Sequence, residues 1–429
     1  MMKSGRCTKA PGARPEGFTV RRADWPLRPM RAPLFLLALA AASCAAPSMN
    51  SIRQLAQKYG AGRVPPPPAA IVSTGAAGQP SAQNTPSAPA AAKAAPPRPS
   101  ATESAAAAPL AKGDPRLPYA IASGADNNIW FTEYGENVIA RIAPNEAITR
   151  THLARGGFPE RIVSGVDNAL WFSDPSADRI GRIEPEHDSV SYVSMPSGGS
   201  GADAITVSID GTVWLSEHSA DRIAQFMSDS SERASGSFQE YRLPSGSGPA
   251  GLVVGSDRSI WFAENGRDRI GRFTWVIGSV APKLDEFPVP TPDAKPNSVA
   301  LGSDGDLYFT ELATNRVGRL TPAGVVTEFV LPVDQAAFDI LSGPDDNIWV
   351  TVPKAHALCR VAPDGTITLF GLPPATTPVF ITADSHSGGL WFTEPNGKIG
   401  LFTPPPAGSD QGQTLVEFDV SGSHALRLE

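Results

Sequence analysis

The chain predicts an all-β fold, a seven-bladed β-propeller of four-stranded antiparallel blades. Two observations carry this. One stretch of sequence recurs seven times, as in DNNIWFTEYGENVIARI (126–142), DNALWFSDPSADRIGRI (167–183), DGDLYFTELATNRVGRL (304–320) and GGLWFTEPNGKIGLF (388–402). Its leading aromatic falls at Trp130, Trp171, Trp214, Trp261, Tyr308, Trp349 and Trp391, at spacings of 41, 43, 47, 47, 41 and 42 residues. A period of that size built from short strands marks a propeller.

The fifth repeat shows how one copy becomes one blade. Ser298–Leu301 is a short apolar run, and Ser303, Asp304 and Gly305 supply a turn. Leu307–Thr310 is aromatic and β-branched, Ala313–Asn315 turns again, and Val317–Leu320 is a third strand. Ala323 and Gly324 turn into a fourth strand, Val325–Val330. Four strands joined by tight Asx or Gly turns make a meander, labelled a to d from the channel outward.

The recurring residues are expected to be structural. The strand b aromatics and the apolar residues of strand c form the core between blades. A small residue recurs within strand c: Ala140, Gly181, Ala224, Gly271, Gly318, Cys359 and Gly400. Glycine inside a strand marks close approach of another group, expected here to be a ring of the neighbouring blade. Cys359 stands in that slot, so it reads as packing and not as a nucleophile. Glu133, Asp174, Glu217, Glu264, Glu311 and Glu394 follow the aromatics, and Arg141, Arg182, Arg272, Arg319 and Arg360 recur on strand c. Residues present in nearly every blade cannot all sit at one site. They read as turn hydrogen bonds and exposed ion pairs between blades, worth little each. Blade 1 begins near Pro118 and blade 7 ends with Leu415–Val420, so the repeats fill residues 114–420 and leave 421–429 as a tail.

The chain ahead of the repeats differs in kind. Residues 32–43 (APLFLLALAAAS) are an apolar run behind Arg31, too short to span a bilayer and laid out as a secretory signal. Translation starts at Met1 or Met30. The run ends in Ala41, Ala42, Ser43 and Cys44, which resembles the bacterial lipoprotein processing box, with Ala41 where Leu is usual. Residues 1–44 are therefore expected to direct export, with Cys44 as the lipidation candidate and plain secretion as the alternative. Residues 45–113 are rich in Ala, Pro and Ser, a composition that cannot bury enough apolar surface to fold, and read as a disordered linker. The expected location is the periplasm or outer membrane, with membrane contact only through the lipid. With Cys7, Cys44 and Cys359 as the three cysteines, no disulfide framework is expected. Beyond residue 44 the chain carries 28 Lys/Arg against 41 Asp/Glu, and so acidic a surface argues against nucleic acid as partner. A monomer is expected.

The core WFTE…N(R/K)IGRI, followed by outer strands such as Glu328-Phe329-Val330-Leu331-Pro332 and Glu240-Tyr241-Arg242-Leu243-Pro244, resembles the virginiamycin B lyase (streptogramin lyase) family. The resemblance covers residues ~115–420. It implies a seven-bladed propeller that opens a cyclic depsipeptide ester by elimination. A base removes the proton α to the ester carbonyl, and Mg²⁺ steadies the enolate. It places the base and metal-side groups in Pro-His-x-Ile elements at the starts of strand a in the last two blades. One Glu stands two positions before the last His, and another follows the final aromatic cluster.

Those slots are filled differently here. Strand a opens with Tyr119, Glu160, Asp203, Ala250, Asn297, Phe338 and Val379 in blades 1 to 7. Tyr119 matches the family's Pro-Tyr-x-Ile element, whose Tyr lines the substrate site. The two His slots hold Phe338 and Val379, which can neither take a proton nor hold a metal. The Glu slots fall at Thr377 and at or near Pro395, one residue beyond Glu394. Of the histidines, His218 could lie on the rim beside Asp203. His356 and His386 fall in turns, and His152, His187 and His424 look peripheral. Glu160 and Asp203 occupy equivalent positions in adjacent blades, where they could bind a cation or raise one another's pKa, or simply be solvated at a wet channel mouth.

Two functions compete. The first is an exported propeller that binds a small molecule or an envelope protein at its channel face, with Asn297, Phe338 and Val379 among the ligand contacts. The alternative is an active lyase with Mg²⁺ and a relocated site of Tyr119, Glu160, Asp203 and His218. A lactonase-like metal site would want a fuller set of Glu, Asn and Asp ligands than Glu160, Asp203 and Asn297 provide.

Overall fold

The computed structural model describes residues 117–134, 136–153, 157–229, 235–276, 281–384, 387–405, 413–420 and 426–428. The expected signal and linker with Cys44, and His386 and His424, lie outside the described residues.

Seven antiparallel meanders follow one another in chain order. Their innermost strands are Leu117–Ser123, Ile162–Ser164, Ala202–Val207, Pro249–Val254, Pro296–Leu301, Ile340–Ser342 and Ile381–Ala383. The second strands carry the aromatics: Ile129–Tyr134, Leu170–Asp174, Val213–Glu217, Ile260–Glu264, Leu307–Glu311, Ile348–Val352 and Leu390–Glu394. Strand alternation puts the starts of strand a and the b–c turns at one end of every blade. The a–b and c–d turns lie at the other. In blade 7 a fifth strand, Leu426–Leu428, pairs with Thr414–Asp419, so the expected tail includes one more strand.

The a–b turns explain the Asp-Asn and Asp-Gly signature. Asn127, Asn168 and Gly305 sit at φ of 63°, 61° and 82°, a region that Asn and Gly tolerate best. The turn Asp also holds the aromatic. Trp130 Nε1 donates to Asp126 at 3.0 Å, Trp349 Nε1 to Asp345 at 2.9 Å, and the Tyr308 hydroxyl to Asp304 at 2.8 Å. A buried ring with a polar edge is thereby satisfied. Each apolar cluster spans neighbouring blades. One joins blades 6, 7, 1 and 2, and another joins blades 3, 4 and 5.

The small residue of strand c serves its own blade, not the neighbour. Gly181, Gly271, Gly318 and Gly400 pair across the ladder with Phe172, Phe262, Phe309 and Phe392. A Cβ at any of the four would overlap that ring. Where the ring is replaced by an aliphatic side chain the slot is larger, as Leu215 faces Ala224 and Val350 faces Cys359, while blade 1 keeps a ring, Phe131, against Ala140. Cys359 is fully buried, and burial pushes its thiol up to about 12.

The repeated carboxylates are buried, not exposed, and their partners lie mostly within the blade. Glu133 pairs with Arg150 at 2.9 Å, Asp174 with Arg179 at 2.7 Å, and Glu264 with Arg267 at 3.5 Å. Arg222 bridges Glu217 and Glu240, at 2.5 and 3.1 Å. Of the strand c arginines, Arg141 forms the expected ion pair with the next blade, at 2.8 Å from Asp188, whereas Arg182, Arg272, Arg319 and Arg360 pair with Asp167, Asp285, Asp306 and Asp345 of their own blades.

Candidate functional site

Each blade begins with a bulge, and the bulge builds the site. In blade 1 the register jumps from Pro118↔Glu133 to Ile121↔Phe131, so Tyr119 and Ala120 oppose one residue, Thr132. Blade 3 skips at Asp203 and Ala204, blade 4 at Ala250 and Gly251, and blade 5 at Asn297 and Ser298. In blade 2 the Glu160 amide donates to Ser173 and the Ser173 amide donates to Arg161, again two residues against one. Phe338 and Asp339 face Thr351 in this way, and Val379 and Phe380 face Thr393. Bulges re-aim side chains and recur beside binding sites.

The opposing Ser or Thr makes the bulge affordable. Its hydroxyl accepts from the second bulge amide: Ala120 to Thr132 at 3.1 Å, Arg161 to Ser173 at 3.1 Å, Asp339 to Thr351 at 3.0 Å. The same hydroxyl donates to the first bulge carbonyl of the next blade: Thr132 to Glu160 at 2.9 Å, Thr351 to Val379 at 2.8 Å. An unpaired amide and an unpaired carbonyl are both avoided.

Blades 6, 7, 1 and 2 place apolar groups and one cation together. Tyr119 and Phe380 have ring centroids 4.9 Å apart, and Phe338 and Phe380 5.3 Å. Val379 belongs to the same buried cluster. The Arg161 guanidinium lies 4.1 Å from the Phe380 centroid and 5.7 Å from that of Tyr119. The two slots to which the resemblance assigns histidines are thus packed apolar wall. Asn297 belongs to the adjoining blade 5 and donates to the Phe338 carbonyl at 3.4 Å. Asp339 ties three blades, accepting from Ser298 at 2.8 Å and from the Ile381 amide at 3.0 Å.

Glu160 and Asp203 are not solvated: they are 5% and 6% exposed. Burial pushes the Asp203 carboxyl well above the usual carboxylate range, against the pull of Arg161 and with the help of Glu160. Asp203 Oδ2 and Arg161 Nε and Nη2 are buried and have no hydrogen-bond partner among the described residues. Arg161 and Phe380 escaped the sequence reading because only the first residue of each strand a was compared. The next column reads Ala120, Arg161, Ala204, Gly251, Ser298, Asp339 and Phe380, and its two charged members stand out among mostly small residues.

His218 does not join Asp203. It opens a one-turn 3₁₀ helix, His218–Ala220, and its Nδ1 lies 3.2 Å from the Pro249 carbonyl of blade 4. A carbonyl only accepts, so Nδ1 carries the proton. Asn265 performs the same service one blade on, donating to the Pro296 carbonyl at 3.2 Å, and His356 Nδ1 meets the Thr376 carbonyl at 2.8 Å. These side chains staple blades together. His187 is exposed and lies 4.0 Å from Glu184.

Mg²⁺ demands a near-octahedral shell of oxygens at about 2.0–2.1 Å. Glu160 and Asp203 come with a guanidinium beside them. No group of three or more His, Cys, Asp or Glu suited to a metal occurs among the described residues. The donor set does not fit the ion, and no step is derived through it.

The blades and their channel-side bulges define a seven-bladed β-propeller. The model of the virginiamycin B lyase family matches residues 104–232 and 189–411, and the chain belongs to that family. A streptogramin B lyase structure is 30% identical, with a TM-score of 0.60 over 66% of this chain and 93% of that one. Virginiamycin B lyase from Staphylococcus aureus is 28% identical, with a TM-score of 0.62 over 68% and 97% of the two chains. A catalytically inactive variant of that enzyme with quinupristin is 29% identical, with a TM-score of 0.62 over 69% and 97%. A search of curated proteins found no match.

Proposed function

We propose that this propeller binds a ligand, a small molecule or a segment of an envelope protein, at the bulged end of its channel. On this reading it does not open cyclic depsipeptides by the histidine chemistry its resemblance implies. The observation that carries this is the packing of Phe338 and Val379 with Phe380 in the slots where that chemistry needs histidines. Aromatic walls with a few convergent polar groups are the usual make-up of a ligand site. The proposal includes export, with Cys44 as the lipid attachment point.

The test is turnover. The full-length protein is incubated with a streptogramin B and Mg²⁺, and the opened product is sought by retention time and fragmentation, since elimination leaves the mass unchanged. No opening at high protein concentration is the expected result. Opening that disappears with EDTA would overturn the reading and make Tyr119, Glu160, Asp203 and His218 the residues to mutate.

A further inference from the structure

Arg161 is 2% exposed, yet two of its guanidinium nitrogens have no hydrogen-bond partner among the described residues. A buried guanidinium without full hydrogen bonding is costly. The Phe380 ring at 4.1 Å offsets part of this through its π face but takes none of the N–H donors. On the acid side, Asp203 Oδ2 is likewise buried and unpartnered.

We propose that Arg161 anchors the carboxylate of a ligand whose apolar or aromatic body lies against Tyr119, Phe338, Val379 and Phe380. This rests on the binding reading above and names its ligand class. The planar fork of a guanidinium matches a carboxylate with two parallel hydrogen bonds. Asp203, whose carboxyl burial pushes well above the usual carboxylate range, lies close enough to Arg161 to feel its charge and presents a buried Oδ2 with no partner among the described residues. Glu160, close enough to act on Asp203 electrostatically, disfavours a second negative charge. The site therefore selects a monocarboxylate over a phosphate.

The test compares hydrocinnamate with its neutral amide by calorimetric titration of the full-length protein. The acid is expected to bind at least about tenfold more tightly, the scale of one charge-assisted pair. In Arg161→Met, which keeps a stem to pack on Phe380, the two affinities should converge, and Arg161→Lys should fall between. Equal affinities in the wild type, a preference that survives Arg161→Met, or binding of neither probe would each overturn the proposal. The wild-type comparison stands even where a variant fails to fold. A short peptide ending in Phe, with a free or an amidated C-terminus, separates a peptide source of the carboxylate from a free acid. Equal binding of acid and amide would leave the binding reading intact, whereas streptogramin opening would remove that reading itself.

Discussion

The Thr393 hydroxyl donates to the carbonyl of Tyr119 at 2.7 Å, across 274 positions of sequence. It is the last handover of a relay that runs through Ser173 to Asp203, Thr310 to Phe338 and Thr351 to Val379. Blade 7 is thereby fastened to blade 1 at the wall of the candidate site, and Arg150 clasps the carbonyl of Val420 further out.

Thr393→Val keeps the shape and removes the hydroxyl. The Phe380 amide and the Tyr119 carbonyl both lose a partner. A loss of about 1–3 kcal/mol is expected, read as a lower denaturant midpoint at unchanged slope.

The ring-and-slot pairing predicts a compensated swap. Gly318→Cys forces a side chain into the Phe309 ring and should cost about 1–3 kcal/mol. Adding Phe309→Val recreates the Val350 and Cys359 pair of blade 6 and should recover part of that loss. A double mutant no more stable than Gly318→Cys alone would show that volume is not what couples the two positions.

Stability should fall as pH rises from about 4.5 to about 7. Burial, the largest cause in each case, pushes Glu264, Glu311 and Glu394 up to about 7. Glu286, Glu328 and Glu417 add repulsion, while Arg267, Arg316 and Lys398 oppose the rise. A carboxyl whose folded pKa is raised favours folding while protonated. That contribution is fully present below about 4.5 and is lost as pH climbs to about 7. Denaturant midpoints at pH 5 should exceed those at pH 8, and Glu394→Gln should flatten the profile.

Cys44→Ala should move the protein from the membrane fraction to the soluble one. Unchanged fractionation would set the lipid aside and leave plain secretion.

The repeat period and its aromatics were enough to read the blades, because each is a local property of one stretch of chain. The bulges were not legible. A bulge is a mismatch between two strands, and neither strand alone shows that Thr132 faces both Tyr119 and Ala120. Arg161 was hidden for the same reason, one residue beyond the position that was compared. The burial of Glu160, Asp203 and the repeated glutamates depends on how seven blades crowd around an axis. Local polarity alone suggests the opposite.

The hydroxyl relay has one vacancy of sequence: blade 4 carries Ala263 where its neighbours carry Ser or Thr. The covalent circle is broken between blades 7 and 1, where Thr393 and Arg150 bind the ends. Between blades 4 and 5 that handover is missing, and Asn265 and Arg272 of blade 4 donate instead to the carbonyls of Pro296 and Pro322. Half a turn from the place where the chain is cut, blades 4 and 5 therefore stay joined by side-chain donors of another kind and by a shared apolar core.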